Sequence, residues 1–198
     1  MPKSNFTLPI VILFCSINSV LAQNLFTEVG LGIGNVTGGE HTKGKAEIYV
    51  NVLKSYGFGE LGLDISTGGN FIPGTTSAVE NNIETLASND AKFSSITAFG
   101  RLAVFEKIYI EPRFGYASLF YWVHADNEDR ISESKISYGL GVGTTISDNF
   151  SISLRYQHLG NTPEYEGSKD ATTIISKSEP LQLVLLRIGY RFNWDTIF

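Results

Sequence analysis

Residues 184–194 read Val-Leu-Leu-Arg-Ile-Gly-Tyr-Arg-Phe-Asn-Trp, and this stretch decides the fold. Every second residue from Val184 to Trp194 is large and apolar, whereas Arg187 and Arg191 fall on the intervening positions. Because successive side chains of a β-strand point to opposite faces, this alternation predicts a strand with one apolar and one polar face. Chain ends of soluble domains are usually loose. The concentration of aromatic residues here therefore indicates a strand with an apolar environment on one side.

The same alternation recurs in earlier segments of the chain. After residue 22, no segment is long and apolar enough to span a bilayer as a helix. Eight alternating segments of about ten residues match the smallest transmembrane barrels. The sequence therefore predicts an all-β fold, an eight-stranded antiparallel up-and-down transmembrane β-barrel. The predicted strands cover residues 25–34, 46–52, 59–65, 96–104, 108–122, 136–146, 150–157 and 184–194.

The predicted connections alternate in length. Short turns fall at Glu106–Lys107, Asp148–Asn149 and Lys54–Gly57. Short turns on one side and long loops on the other are typical of outer-membrane barrels, with the long loops outside the cell. Both chain termini then lie on the side of the short turns. The longer polar connections are residues 36–44, 68–91, 124–134 and 161–179.

The N-terminus has the pattern of a secretory signal peptide. Lys3 precedes an apolar run over residues 8–14, and Ala22 provides a small residue for cleavage. A transmembrane anchor is the alternative, but the run is short and interrupted by Pro9 and Asn18. The predicted organisation is a cleaved signal peptide at residues 1–22 and one barrel domain at residues 23–198.

Charge and cysteine content exclude several classes of function. Removing Lys3 leaves 14 basic and 20 acidic residues, a net charge of −6, which argues against nucleic-acid binding. The single cysteine, Cys15, lies in the predicted signal peptide, so the mature chain has neither disulfides nor thiol catalysis. No cofactor is predicted, and the barrel is expected to act as a monomer.

Acidic and basic residues balance on the predicted inner face. The bore of an eight-stranded barrel is only wide enough for side chains. Unpaired ions there would be strongly desolvated, so the interpretation is a charge-paired network that plugs the lumen. The alternative is a narrow or gated pore for small solutes. Inward glycines on the first and sixth strands are expected to leave room for arginines. The network consists of Glu28, Glu47, Glu60, Asp64, Arg101, Glu111, Arg113, Arg155, Arg187 and Arg191.

The last predicted strand resembles the C-terminal insertion signal of bacterial outer-membrane β-barrels. The matching pattern is polar-x-Gly-x-x-aromatic-x-aromatic, which runs from Arg187 to Trp194. That signal normally closes the chain, whereas here Asp195–Phe198 follow it. The residues that carry the resemblance are Arg187, Gly189, Phe192 and Trp194, with the terminal aromatic Phe198.

Residues 24–198 as a whole resemble the small OmpA/OmpX-type barrels, including opacity-type surface proteins. The resemblance implies the barrel assembly machinery, outer-membrane lipid and lipopolysaccharide as partners, and an extracellular ligand bound through the loops. Two-domain members carry a peptidoglycan-binding domain after the barrel; none follows here, so cell-wall tethering is not implied. Other members serve as adhesins or serum-resistance factors. The expected role is thus structural or surface-interacting.

One segment is similar to a catalytic motif of barrel lipid A deacylases, which contain His-x-Ser-Asn. His158 and Asn161 match that motif, and Glu164 or Glu166 could orient the histidine. Gly160 occupies the position of the nucleophile and has no side chain to acylate. The chain is therefore predicted not to be an enzyme.

Two further alternatives are a metal site and a soluble barrel. His41, His124 and His158 lack zinc-ligand spacing, so only loose Ca²⁺ or Mg²⁺ association at acidic loops, shared with lipopolysaccharide phosphates, is expected. A secreted lipocalin-like ligand binder would also have eight strands. It would reverse the two faces, with apolar residues inside and arginines outside.

Overall fold

The computed structural model describes residues 25–37, 44–70, 78–87, 90–122, 130–169 and 172–194. Eight long strands in these ranges form one closed antiparallel barrel. The predicted eight-stranded barrel is therefore confirmed. No helix in these ranges is long and apolar enough to cross a membrane. The predicted signal peptide and Phe198 lie outside the described residues.

Twelve strands are present in the described ranges, four more than the sequence predicted. Eight of them, β1, β2, β3, β6, β7, β8, β9 and β12, close the barrel, and the other four form a separate sheet. The bounds are β1 (Leu25–Thr37), β2 (Gly44–Tyr56), β3 (Gly59–Asn70), β4 (Ala78–Glu80), β5 (Ile83–Leu86), β6 (Lys92–Ala103), β7 (Ile108–Trp122), β8 (Arg130–Ser147), β9 (Phe150–Asn161), β10 (Tyr165–Lys169), β11 (Thr172–Ser176) and β12 (Pro180–Asn193).

The strands are staggered around the barrel. A row of laterally paired residues that leaves β8 at Ser134 returns to β8 at Thr144, ten residues further along. This stagger tilts the strands relative to the barrel axis and brings side chains from distant strands to the same level of the lumen. The row is Ser134, Ser118, Ser94, Thr67, Ile48, Leu31, Ile188, Ile152 and Thr144.

The two ends of the barrel differ in their connections. One end, called here the short-turn end, carries the connections at residues 57–58, 104–107 and 148–149, together with the start of β1 and the end of β12. The other end, the loop end, carries the long connections. Most of the predicted strands were too short; β2, for example, continues to Tyr56. The predicted fourth strand ends too late, because Val104 belongs to a four-residue connection after β6. The predicted third loop also loses residues, because β8 begins at Arg130.

The outer wall of the barrel is apolar. Leu31 and Ile48 are each 62% exposed, which a soluble protein would avoid over so wide an area. Aromatic side chains collect at the short-turn end, where Tyr190 packs edge-on against Phe150 and Phe192. Apolar residues outside and charges inside are the reverse of the lipocalin-like arrangement. Both features match a barrel with lipid around it.

A second sheet, called here the loop sheet, joins two long connections at the loop end. Its strand order is β10-β11-β5-β4, with β4 and β5 from the second connection and β10 and β11 from the fourth. The connecting pair is β11 with β5, which run parallel from Thr173 opposite Ile83 to Ser176 opposite Leu86. The β4–β5 turn contains Asn81 and Asn82 with φ of 51° and 62°, the left-handed geometry that Asn tolerates in tight hairpins.

Candidate functional site

The ten charged residues assigned from the sequence to the lumen lie inside the barrel, and ion pairs connect all ten. Nine of them are 9% exposed or less, while the Glu60 side chain is 17% exposed near the short-turn end. Seven of the eight barrel strands contribute these charges. The stagger of the barrel then places opposite charges against each other, so that every carboxylate meets at least one guanidinium.

Arg101 organises the network toward the short-turn end. Its Nη1 and Nη2 donate to the two oxygens of Glu28 at 2.9 and 2.7 Å, and its Nε donates to Glu111 at 2.8 Å. Glu28 also accepts hydrogen bonds from Asn51 and Ser151, each at 2.9 Å. A buried carboxylate with this many donors has replaced its water shell with protein groups.

A second two-point pair lies nearest the short-turn end. Arg191 donates from Nη1 and Nη2 to the two oxygens of Glu60 at 2.8 and 2.7 Å. Glu60 also lies 3.7 Å from Nη1 of Arg101, which links this pair to the rest of the network. Parallel two-point bonds fix the planes of both groups as well as their distance. The outermost pair therefore holds both β3 and β12 in a defined position.

The middle of the barrel holds three arginines around two acids. Arg155 Nη2 donates to both oxygens of Glu47 at 2.7 and 2.6 Å. Arg187 donates to Glu47 through Nε and to Asp64 through Nη1, the latter at 2.6 Å. Arg113 pairs with Glu111 and lies 3.4 Å from Asp64, which connects this group to the Arg101 group.

Aromatic rings inside the lumen received no role in the sequence analysis. The guanidinium of Arg187 lies 3.7 Å from the ring centre of Tyr49, and that of Arg101 lies 4.9 Å from the ring centre of Tyr109. Rings at these distances attract a desolvated cation. Both tyrosines sit at inward positions of the period-two pattern, so their placement could have been found from the sequence, although their arginine partners could not.

The inward glycines of β1 and β8 face tyrosine and glutamate side chains more often than arginines, so that expectation was largely wrong. A Cβ at Gly189 would lie 2.5 Å from the Tyr49 hydroxyl, and one at Gly143 would lie 2.5 Å from the Tyr109 hydroxyl. Only at Gly139 does an arginine fill the space, with Arg113 Cδ 3.2 Å from the Cβ position. Glycines on β1, β8 and β12 thus provide flat wall against which aromatic rings lie.

The loop-end part of the lumen is apolar. This apolar layer was also missed, since Leu185 lies on the same face as Arg187, which the alternation predicted to be polar. Leu181, Leu183 and Leu185 project inward from β12 with no exposed surface, although Arg187, Gly189 and Arg191 follow them on the same face. The members of the apolar layer are Val36, Ala91, Phe93, Ala117, Leu119, Tyr121, Leu159, Leu181, Leu183 and Leu185.

Polar contacts attach the long connections to the barrel above this apolar layer. Lys45, 1% exposed, donates from Nζ to Asn70 Oδ1 at 2.6 Å and to the carbonyl of Ala91 at 2.8 Å. On the other side, the Thr162 hydroxyl donates to the carbonyl of Lys177 at 2.9 Å. These contacts hold the ends of the second and fourth long connections at the loop end of the barrel.

The residues that resemble an insertion signal lie along the seam where β12 meets β1. Arg187 and Gly189 face the lumen, and Phe192, 42% exposed, faces outward. Trp194 Nε1 donates to the Thr27 hydroxyl of β1 at 2.9 Å. Phe198 lies outside the described residues. The aromatic positions of the pattern therefore lie at the end of β12 and directly after it, beside the closing seam.

The histidine of the deacylase-like segment faces outward near the loop end. The ring centres of His158 and Tyr138 are 4.9 Å apart, and Gly160 has a φ of +98°. Glu164 and Glu166 are exposed on the fourth long connection. No cluster of three or more His, Cys, Asp or Glu side chains suited to a metal ion occurs in the part of the chain that the structure describes. His41 and His124 fall outside that part.

Comparison with protein-family models and with the sequences of curated proteins finds no match. Comparison with solved structures does. The crystal structure of neisserial surface protein A aligns with a TM-score of 0.60 at 12% identity, over 86% of this chain and 97% of that one. The chain has the fold of the small outer-membrane barrels.

Two further solved barrels agree with this fold. Ail, the attachment invasion locus protein of Yersinia pestis, aligns with a TM-score of 0.51 at 14% identity, over 85% of this chain and 97% of that one. The N-terminal β-barrel domain of Pseudomonas aeruginosa OprF aligns with a TM-score of 0.50 at 12% identity, over 85% and 98%. At these identities the likeness establishes the barrel architecture, while function depends on particular surfaces.

Proposed function

We propose that this protein is a non-enzymatic barrel of the bacterial outer membrane, exported through a cleaved signal peptide. Its lumen is closed, and its loop end is the interaction surface. The observation that carries the proposal is the filling of the lumen by two layers in series. The ion-pair network occupies the short-turn part and the middle, and the apolar layer occupies the loop-end part.

The two layers oppose permeation for different physical reasons. An ion crossing the network would have to displace carboxylates and guanidiniums that already satisfy one another in a desolvated bore. Of the ten side chains in the apolar layer, only Tyr121 carries a polar atom. The layer therefore cannot replace the water shell of an ion, and desolvating an ion without such replacement is strongly unfavourable. Leu119, Leu159 and Leu183 in that layer have no exposed surface. This arrangement favours a structural plug over a narrow pore.

The outer membrane is the location that suits the exposed surface. The wide apolar wall requires lipid, and the aromatic side chains near the short-turn end suit a membrane interface. The resembling structures belong to neisserial surface protein A, Ail and OprF, two of which are described as a surface protein and an attachment invasion locus protein. A surface role for the present chain is inferred from that likeness together with its loop sheet.

The loop sheet is the part of the molecule best suited to contact a partner. Strands from two long connections pair within it, so it presents a fixed surface rather than two independent loops. Glu80, Glu164 and Glu166 are exposed on or beside it, which gives this surface an acidic character. The loop sheet is therefore expected to mediate an adhesin-like contact.

Planar-bilayer recording tests the closed lumen. The purified monomer should give little or rare conductance, because both layers obstruct the bore. A variant with Leu119→Ser, Leu183→Ser and Arg155→Ser weakens both layers and should conduct measurably, which shows that the assay can detect an opened barrel. Large, persistently open channels from the wild-type monomer would move the function from surface interaction to transport.

Adherence of expressing bacteria to epithelial monolayers tests the surface role. Replacing residues 78–86 and 165–176 with short Gly-Ser linkers removes the loop sheet but leaves the barrel strands intact. The variant should adhere less than the wild type while still migrating as a folded, heat-modifiable barrel in detergent gels. Unchanged adherence, relative to cells that lack the protein, would refute a contact made by the loop sheet.

A further inference from the structure

A groove crosses the outer wall of the barrel near the loop end. Its floor follows a row of hydroxyl residues, Thr67, Ser94, Ser118 and Ser134, which pair laterally on β3, β6, β7 and β8. One step toward the short-turn end, the side chains become Ile65, Ile96 and Tyr116, which form one wall of the groove. Its volume is about 460 Å³, within the roughly 300–1,000 Å³ typical of small-molecule sites. It is called here the hydroxyl groove.

The hydroxyl row marks a change in the surroundings of the barrel wall. Four hydroxyls at one level of an otherwise apolar wall suit the polar groups of the lipid better than its hydrocarbon, where a hydroxyl is unfavourable unless it is hydrogen-bonded. The Thr67 hydroxyl lies 3.1 Å from that of Ser94 and donates to the carbonyl of Phe93 at 3.0 Å. Along the same lateral row, Ile48 and Leu31 follow Thr67. The polar level is therefore confined to one side of the barrel.

Positive charge lies immediately beyond the hydroxyl groove on the loop-end side. Lys92 on β6 is the cross-strand partner of Phe120 on β7, and Lys92 is exposed. The guanidinium of Arg130, also exposed, lies 4.0 Å from the ring centre of Phe120. Phe120, an outward residue, is consequently only 9% exposed. Two cations thus flank one ring above the groove, although the whole chain carries a net charge of −5.

We propose that the hydroxyl groove binds a lipopolysaccharide molecule of the outer leaflet. The acyl chains lie against Ile65, Ile96 and Tyr116, the hydroxyl row meets the amide and sugar groups, and Lys92 and Arg130 meet a phosphate. Charge complementarity selects an anionic lipid. The length of the hydroxyl row favours a sugar backbone with amide-linked chains, which has more hydrogen-bonding groups than a glycerol diester. The inference rests on the proposed location of the loop end outside the cell.

Native mass spectrometry of the folded barrel in detergent tests this site with defined lipids. The probes are bisphosphorylated lipid A, dephosphorylated lipid A and phosphatidylglycerol. The wild type should retain one lipid A, with at least about tenfold weaker binding of the other two probes, which corresponds to about 1.4 kcal/mol. Ser118→Leu, which fills the floor, and the double variant Lys92→Gln/Arg130→Gln should each lower lipid A binding by about tenfold or more.

Matched controls come from the short-turn end of the same outer wall. Thr144→Leu likewise places a leucine at another outward hydroxyl position of the lateral row, and Lys54→Gln removes an outward charge; neither should change lipid A binding. Heat modifiability in gels verifies that each variant is folded. The proposal is overturned if the groove variants bind like the wild type, if the controls lose as much, or if either other probe binds equally well. Conductance is measured in a separate experiment. If the barrel does not conduct and also does not bind lipid A as expected, only the lipid-binding inference is refuted and the proposed function stands.

Discussion

At the scale of single residues, the interior charges act as one connected set. Glu111 receives hydrogen bonds from Arg101 and Arg113, and Asp64 is close to three arginines. Removing one member leaves a buried charge whose water shell the folded barrel does not restore. Removing two adjacent members of opposite sign preserves the balance. The energetics of the lumen therefore depend more on neutrality than on any individual contact.

Neutrality can be tested on one neighbouring pair of β7. Glu111→Gln or Arg113→Met alone should lower the free energy of unfolding by about 3–5 kcal/mol, because each leaves an uncompensated buried charge. The double variant should lose less stability than the sum of the two single losses. In it, Arg101 still pairs with Glu28 and Asp64 still pairs with Arg187, so no buried charge is left without a partner. Urea unfolding in lipid vesicles, followed by tryptophan fluorescence, measures all three.

The control for this pair is an exposed ion pair. Lys135 and Glu133 form one on β8 with side chains 42% and 39% exposed. Lys135→Met should therefore change the free energy of unfolding by less than about 1 kcal/mol. Additive losses in the Glu111 and Arg113 cycle would contradict the neutrality argument.

Gly189 is needed because it has no side chain, which leaves room for the ring of Tyr49. A Cβ there would lie 2.5 Å from the Tyr49 hydroxyl and 2.8 Å from Glu28. Gly189→Ala should lower the free energy of unfolding by about 1–3 kcal/mol, and adding Tyr49→Phe should recover part of that loss. Gly57→Ala, which meets nothing within 4 Å, is the control. The same urea titration gives the values, and an unchanged stability of Gly189→Ala would refute close packing at this wall.

The positions of these residues could be predicted from the sequence, but their partners could not. Period-two alternation assigns Glu47 and Arg155 to the lumen without any structure. Their contact joins β2 with β9 across the bore, at 108 residues of separation, and it depends on the stagger of all the intervening strands. A register difference of two residues would exchange the partners while keeping the same side chains inward, and alternation alone does not fix which of these registers occurs.

At the scale of whole strands, β12 closes the barrel against β1. Twelve residue pairs, from Phe26 with Asn193 to Thr37 with Gln182, run along this seam. The outward aromatic residues Tyr190 and Phe192 pack edge-on with ring centres 4.8 Å apart. Trp194 reaches across the seam to Thr27. The last strand thus combines the closing hydrogen bonds with the aromatic cluster of the short-turn end.

Assembly should depend on this aromatic cluster. The double variant Phe192→Ser/Trp194→Ser should reach the outer membrane at lower levels than Tyr138→Ser, an outward tyrosine on β8, because the two rings belong to the pattern that the assembly machinery is expected to recognise. Folded barrel in outer-membrane fractions, quantified by unboiled gel migration, provides the comparison. Normal levels of the double variant would remove the argument that this strand is an insertion signal.

The strands that the sequence analysis missed have a common physical cause. The pair β5–β11 is parallel, from Ile83 with Thr173 to Leu86 with Ser176, and joins segments about 90 residues apart in the chain. A local sequence pattern therefore cannot predict this pairing. The apolar layer was missed because residues 183–186 are apolar on both faces, which hides the alternation. By contrast, Asn81-Asn82 was a readable turn signal for the β4–β5 hairpin.

At the scale of the whole molecule, function is distributed along the barrel axis. The short-turn end carries the aromatic side chains and the Arg191–Glu60 pair, the middle holds the buried network, and the loop end holds the apolar layer and the loop sheet. The outer wall adds the hydroxyl groove beside the loop end. Each proposed interaction therefore requires one orientation, with the loop end outside the cell.

Orientation follows from the physics of insertion and can be measured directly. Long polar connections are the ones that outer-membrane barrels present outside, whereas short turns face the periplasm. Epitope tags inserted after Thr75 and after Asp170 interrupt the second and fourth long connections. Antibody should label both on intact cells expressing the tagged proteins, and permeabilisation should not raise the signal.

The matched control is a tag inserted after Gly57, in the connection between β2 and β3 at the short-turn end. It should be labelled only after permeabilisation, because this end is opposite the loop sheet across the full length of the barrel. Labelling of the Gly57 tag alone on intact cells would invert the orientation. It would then place the loop sheet and the hydroxyl groove on the periplasmic side, where lipopolysaccharide of the outer leaflet has no access to the groove.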